Sequence, residues 1–406
     1  MTSILLIGGG PAALAAAVAL RCHGVDASLE VVDPAGEWLA AWRRRFAHQD
    51  IACLRSPAVH HPHPDPFALL GHEGRDGLVP SGGTYLPTTA RFLRFVDHLV
   101  AVHGLGEVVV PTTATDLVID DRGSAEVTLA DGTRRRPDHV VMCTNTRRQT
   151  WPAALRPLCG DAVVQHSETA DVREVHDGER VLVVGGGLSA AHLAIGAARR
   201  GALVTMVTRR RILTRRFDVH PSWLGPKKRR PFELEPDPHR RRIAIVNARG
   251  GGTVPPRVHR DLVSEVAHGR VELRERVDVV GATLDGDRCR VHLHDGSTVA
   301  ADRVWAATGG VVDVGDDPLC AELVGHAPLT IAGGLPDLPP DLRWPGTNVH
   351  LTGLATALRL GPTAGNLVGH RRAALRLVAS LTGGDPTRDD RPYTAGGVTG
   401  PARALP

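Results

Sequence analysis

Lysine is nearly missing from this chain of 406 residues: Lys227 and Lys228 are the only two, so almost all of the 48 basic side chains are arginine. With 45 glycines and 30 prolines, this composition matches the coding bias of a high-GC genome and is not itself chemistry. Acidic side chains number 44, leaving a formal net charge of +4, which disfavours a chain held to polyanions by bulk charge. Tyrosine occurs twice, too rarely to supply stacking platforms for single-stranded nucleic acid, so no nucleic-acid partner is expected. The six cysteines (Cys22, Cys53, Cys143, Cys159, Cys289, Cys320) contain no C-x-x-C pair, which argues against dithiol redox chemistry and a cysteine-built zinc site. No apolar run reaches the roughly 18 residues of a membrane span, and no basic segment precedes the first apolar stretch. The expectation is a soluble, cytoplasmic protein of two or three domains.

Ser3 to Ile7 is a continuously apolar strand, followed by Gly8-Gly9-Gly10-Pro11-Ala12-Ala13 and an alanine-rich helix to about His23. This is G-x-G-x-x-A at a strand-to-helix turn, where glycine lets pyrophosphate approach the free N–H groups of the helix. The next strand, Ala27 to Val32, ends in Asp33, placed to accept a ribose hydroxyl. The pattern recurs with strand Arg180 to Val184, then Gly185-Gly186-Gly187-Leu188-Ser189-Ala190, and a strand ending in Thr208-Arg209-Arg210-Arg211. Arginine where the first unit has a carboxylate suits a 2′-phosphate, so NADPH is expected over NADH; the bland alternative is a surface arginine cluster.

Downstream segments repeat as well. Asp131-Gly132 precedes Asp138 and Thr144 at the same offsets at which Asp295-Gly296 precedes Asp302 and Thr308. Amphipathic helices precede His103-Gly104 and His268-Gly269. Two copies of one dinucleotide-binding architecture are therefore expected, in an α/β fold of two Rossmann-like domains. The boundaries read as 1–164 for the first part of one domain, 165–310 for an inserted second domain, 311–384 for a return to the first, and 385–406 for a flexible tail. The return consists of a strand at Asn348 to Thr352, Gly353, the turn Gly361-Pro362-Thr363, and a helix to about Ser380.

The motif order resembles the class B flavin monooxygenases, including lysine and ornithine N-monooxygenases. The resemblance rests on Gly8-x-Gly10-x-x-Ala13, Gly185-x-Gly187-x-Ser189-Ala190, Ala307-Thr308-Gly309, and Gly353 to Gly361-Pro362-Thr363. It implies FAD in the first unit and NADPH in the second, with Thr308, Gly309 and Gly353 at the cofactors and Gly361 to Thr363 at the flavin pyrimidine edge. It also implies O2 and a small-molecule substrate, an amine or amino acid, oxygenated at nitrogen through a C4a-hydroperoxyflavin. His166-Ser167 is similar to the pair that precedes the NADPH unit in N-hydroxylating members, and Asn145, facing Gly309 in the repeat, is similar more weakly. Gly353-Leu354 departs from the Gly-Asp of many disulfide-reductase-like flavoproteins, and neither lysine can serve a substrate carboxylate in the first unit. An NADPH-dependent flavin reductase that inserts no oxygen and a non-catalytic nucleotide-binding scaffold remain as alternatives.

The segment Leu54 to Pro66 is stiffened by proline and carries Arg55, His60, His61 and His63. Arg55, His60 and His61 either line the flavin or substrate pocket, with histidine relaying a proton, or sit in a rigid surface loop. Metal ligation by His60, His61, His63 and Asp65 is conceivable by residue type, but 21 histidines make chance clusters common and no metal is expected. Trp38 and Trp42 read as packing residues or as flavin contacts. The runs Lys227 to Arg230 and Arg240 to Arg242 read as solvated faces. Substrate identity and oligomeric state are not legible.

Overall fold

The computed structural model describes residues 1–144 and 147–387; Asn145 and the tail beyond 387 lie outside the described residues. Strand β1 (Thr2–Ile7) runs up the middle of the first sheet. Its unbroken apolar run serves two faces at once: Ile4 and Leu6 join one core, Leu5 and Ile7 the other. A parallel strand covered on both sides requires that pattern. Helix α1 (Pro11–Cys22) follows, with Pro11 in the first turn, where a missing N–H costs nothing. Its residues from Ala12 to Leu20 are all buried, because an alanine helix can lie close to neighbours on every side. Strand β2 (Ala27–Asp33), helices α2 (Ala40–His48) and α3 (Thr89–Val102), and strands β3 (Val109–Pro111) and β4 (His139–Met142) complete the first half. The Thr88 side chain caps α3 by accepting the Arg91 N–H at 3.2 Å.

The second half repeats the plan. Strands β5 (Val164–His166) and β6 (Arg180–Val184), helix α4 (Leu188–Ala198) and strand β7 (Leu203–Thr208) come first. Helices α5 (Pro226–Leu234), α6 (Pro238–Arg249) and α7 (Pro256–Ala267) and strands β8 (Val271–Glu275) and β9 (Arg303–Ala306) follow. The chain returns through β10 (Val349–Leu351) and α8 (Leu367–Leu381). The sheet orders are β10-β4-β1-β2-β3 and β5-β9-β6-β7-β8, every pair parallel. The sheets thus superpose strand for strand except at one edge, which β10 supplies in the first and β5 in the second. Each half also carries a three-stranded antiparallel sheet, one within 114–135 and one within 279–301. The return strand pairs with β4, and α8 packs along α1.

Helices α5 and α6 fill a stretch that the sequence left without structure, and they overturn one expectation. Lys227 and Lys228 are exposed on α5, but Arg229 and Arg241 are buried. Arg241 donates to Leu358 O at 2.8 Å and Asp337 Oδ2 at 2.7 Å. Both terminal amino groups of this buried guanidinium are thus met, although its Nε has no hydrogen-bond partner among the described residues, so the runs are not solvated faces throughout. Among the described residues no helix is long and apolar enough to cross a membrane.

Candidate active site

A cavity of about 750 Å³ opens between the two halves, above the carboxyl ends of β1 and β6. Its first wall is the glycine turn after β1. Gly8 has φ +98°, and a Cβ there would lie 3.4 Å from the Cys143 carbonyl, so only glycine suits both the conformation and the approach to the chain after β4. A Cβ on Gly10 would meet nothing within 4 Å. Gly10 caps α1 without a side-chain bond, and the first turn holds no acidic residue. The N–H groups of α1 are thus free for an anion, and the open face at Gly10 fits a pyrophosphate. Asp33 stands on the same wall: its Oδ2 accepts the Gly9 N–H at 2.8 Å and its Oδ1 the Ala35 N–H at 3.0 Å.

The opposite wall is α4. At Gly185 (φ +149°) an added Cβ would sit 2.3 Å from Ala307 O, so Gly185 serves close packing of turn against strand. Gly187 caps α4 without a side-chain bond and lies against Gly252. Leu188, Ser189 and His192 of α4 face the cavity, while Ala190 is buried in the second core. At the end of β7, Arg209 and Arg210 are exposed. Arg210 donates to Gly250 O at 3.1 Å and Gly252 O at 2.9 Å, holding the glycine loop that covers Gly187. Arg209 makes no hydrogen bond among the described residues and is the freer of the two for a phosphate.

Arg55 lines the cavity but faces the other half of the molecule. It donates to Arg216 O at 3.1 Å, Arg215 O at 2.9 Å, Thr253 O at 3.1 Å and Thr253 Oγ1 at 2.7 Å. Burial is the largest influence on its guanidinium and lowers its pKa. His60 and His61 are not on the cavity wall, which corrects their placement in the pocket. His61 is 0% exposed; its Nδ1 accepts the His63 N–H at 3.2 Å and its Nε2 faces Pro66 O at 3.2 Å. Burial holds it well below the ordinary imidazole range, and its hydrogen bonds fold the loop. Burial likewise pushes His60 down to about 4.

Other expected contacts move too. Trp38 is buried and donates to Leu105 O at 2.8 Å; Trp42, stacked on Phe46, is the tryptophan that lines the cavity. Thr308 bonds Thr150, and Gly309 O accepts from Thr150 N at 2.9 Å and His166 Nε2 at 3.0 Å, so both brace the crossing between halves away from the wall. Gly353 (φ +68°) opens a buried turn closed by Thr356 Oγ1 at 2.7 Å. Gly361 faces Trp223 and Phe232, Pro362 O accepts from Arg249 at 2.9 Å, and Thr363 is buried. The helix that reaches the cavity begins later, so Gly365, Asn366 and Leu367 line it instead.

Two residues were missed by sequence reasoning. His370, in the first turns of α8, lines the cavity at 5% exposure, and its buried Nδ1 has no hydrogen-bond partner among the described residues. Burial first, and Arg147 second, push it down to about 4, so it is a neutral imidazole at pH 7. Arg147 shares the wall; burial, Arg45 and Arg249 lower its pKa and Glu168 opposes them. Neither carries a sequence signal beyond being polar: His370 sits among apolar helix positions, and Arg147 is one of many arginines.

The chain belongs to the pyridine nucleotide-disulphide oxidoreductase family, whose model matches residues 2–222, and it is an oxidoreductase. No curated protein matches the sequence. Among solved structures, the ornithine N-hydroxylase of Kutzneria sp. 744 is similar over 94% of this chain and 99% of its own, with a TM-score of 0.75 and 18% identity. The cadaverine monooxygenase of Erwinia amylovora, bound to FAD, covers 100% and 99% with a TM-score of 0.73 and 15% identity. The bacillithiol disulfide reductase of Bacillus cereus covers 94% and 99% with a TM-score of 0.60 and 17% identity. At such identities the likeness is one of fold, and that fold serves both oxygenation and disulfide reduction.

Proposed function

We propose that this protein is an FAD- and NADPH-dependent monooxygenase that oxygenates a small amine or amino acid at nitrogen. The observation that carries the proposal is the single cavity lined both by the α1 amino terminus and by Leu188 and Ser189 of α4. A donor nucleotide held on one wall and an acceptor on the other would react across that space. The thiols on the wall favour oxygen over disulfide chemistry. Burial raises Cys53 and pushes Cys143 up to about 12, so both stay protonated, whereas disulfide exchange needs a thiolate. The nitrogen preference draws support from the similar ornithine and cadaverine enzymes.

In this reading Gly8, Gly10 and Asp33 hold FAD and Gly187, Ser189, Arg209 and Arg210 hold NADPH, while the buried Ala13 and Ala190 and the close-packed Gly185 shape the two turns from behind. The sheets divide as 1–164 with 311–384 around FAD and 165–310 around NADPH. When bound, the flavin supplies hydride acceptance and oxygen activation. The chain itself binds, orients and excludes water. Arg55 positions the NADPH half over the cavity, and His370 Nδ1 accepts a proton-bearing group of the bound ligands.

The test is the visible spectrum of the purified protein, followed by NADPH consumption and peroxide release under air with a panel of amines and amino acids. Flavin absorbance, substrate-stimulated NADPH use and little peroxide are expected. Peroxide equal to NADPH with every compound would favour a reductase, and a colourless protein that cannot take up FAD would overturn both.

A further inference from the structure

The end of α1 remote from the cavity carries a second constellation. Cys22 closes α1, His103 follows the last turn of α3, and His63 lies between Pro62 and Pro64. Cys22 Sγ and the two imidazoles each present a ligand atom within 4.8 Å of the others, and all three residues are partly exposed. Sγ stands 3.5 Å from His63 Nε2 and 3.7 Å from His103 Nε2. Tetrahedral zinc, with Zn–S of about 2.3 Å and Zn–N of about 2.0 Å, sets sulfur and nitrogen about 3.5 Å apart. The observed edges already have that size. We propose that Cys22, His63 and His103 bind a zinc ion, with water in the fourth position.

Without metal the same atoms form a hydrogen-bond chain. His63 Nδ1 accepts the Asp65 N–H at 3.1 Å, which leaves its proton on Nε2 toward sulfur, and Cys22 Sγ also lies within hydrogen-bond distance of His103 Nε2. Zinc replaces that chain. The thiol proton leaves to solvent, His63 shifts its proton from Nε2 to Nδ1 and gives up the Asp65 bond, and His103 binds through Nε2 with its proton on Nδ1. One proton is released per zinc, so affinity rises with pH. The ion ties α1 and α3 to the segment that begins near Arg55 and whose Val59 O is held by Arg371 of α8 at 2.9 Å. At 1.5 Å rise per residue the site is about 18 Å along α1 from the glycine turn, so its role is to brace and not to catalyse.

Untagged protein from zinc-containing medium should hold about one zinc per chain by mass spectrometry, with one sulfur and two nitrogens in its X-ray absorption shell. Calorimetry in buffers of different ionisation enthalpy should return one proton per zinc. Cys22→Ser and His103→Gln should each weaken zinc by about a hundredfold or more, with far-ultraviolet circular dichroism unchanged. Zinc far below one per chain after titration, or equal zinc in both folded variants, overturns the site. Should a variant unfold, the wild-type shell decides, and a shell without sulfur overturns the site equally.

Discussion

His370 and His350 show what burial does to a single side chain. They are 5% and 1% exposed, and each is pushed down to about 4, by burial first in both. Unfolding returns them to the ordinary imidazole range near 6.5, so the unfolded chain binds more protons between those values. Stability is therefore full above about pH 6.5 and falls as pH drops toward 4, by about 2–3 kcal/mol per histidine at most. Urea midpoints at pH 7.5 and pH 5 should differ accordingly. His350→Gln, remote from the cavity, should flatten the slope; an unchanged slope would place the acid-labile groups elsewhere. The arginines after β7 split at the same scale. Arg209→Ala should raise the KM for NADPH by about tenfold and leave NADH unchanged. Arg210→Ala should weaken both cofactors, because it also frees the Gly250 and Gly252 carbonyls.

The first and third glycines of a Gly-Gly-Gly turn differ in what a methyl group would meet. Gly10→Ala adds its Cβ to open space, so the chain should fold with an unchanged melting temperature yet lose flavin. Gly185→Ala drives a Cβ to 2.3 Å from Ala307 O at φ +149°, so it should lower stability by about 2–4 kcal/mol whatever is bound. Thermal melts with and without cofactors separate the two. Elements of this kind were legible because their physics is local: β1, α1, β6, α4 and the paired downstream strands follow from apolar runs, glycine turns and helix caps. Helices α5 and α6 were not, since their charged sequences carry little apolar signal and Arg241 of α6 is buried against Asp337, distant along the chain. The start of α8 was misplaced for a related reason. Gly361-Pro362-Thr363 has the turn chemistry, but packing against Trp223 and Phe232 moves the helix amino terminus on to Asn366.

At the scale of the whole molecule, Arg55 joins the halves. Four hydrogen bonds run from it to 215, 216 and 253, assisted by Gln49 Nε2 on Ser167 O and Arg200 on Asp50, at 2.8 Å and 3.0 Å. Arg55→Ala should leave bound flavin intact but slow its reduction by NADPH about tenfold or more in stopped flow. Loss of flavin, or an unchanged rate, would remove Arg55 from this role. The cavity itself was not legible in the sequence, because it belongs to neither half: residues as far apart as 10, 55, 147, 189 and 370 meet there.

The scarcity of lysine has a practical side. The cavity wall draws its strong cations from Arg45, Arg55, Arg147, Arg199 and Arg257, all arginine, while the lysine amines are two neighbours exposed on α5. With the exposed Met1 α-amine blocked, ordinary amine-coupling reagents therefore become a positional tool. A dye, bead or sensor surface attached through lysine hangs from one helix at a known place, and every guanidinium of the cavity is left unlabelled.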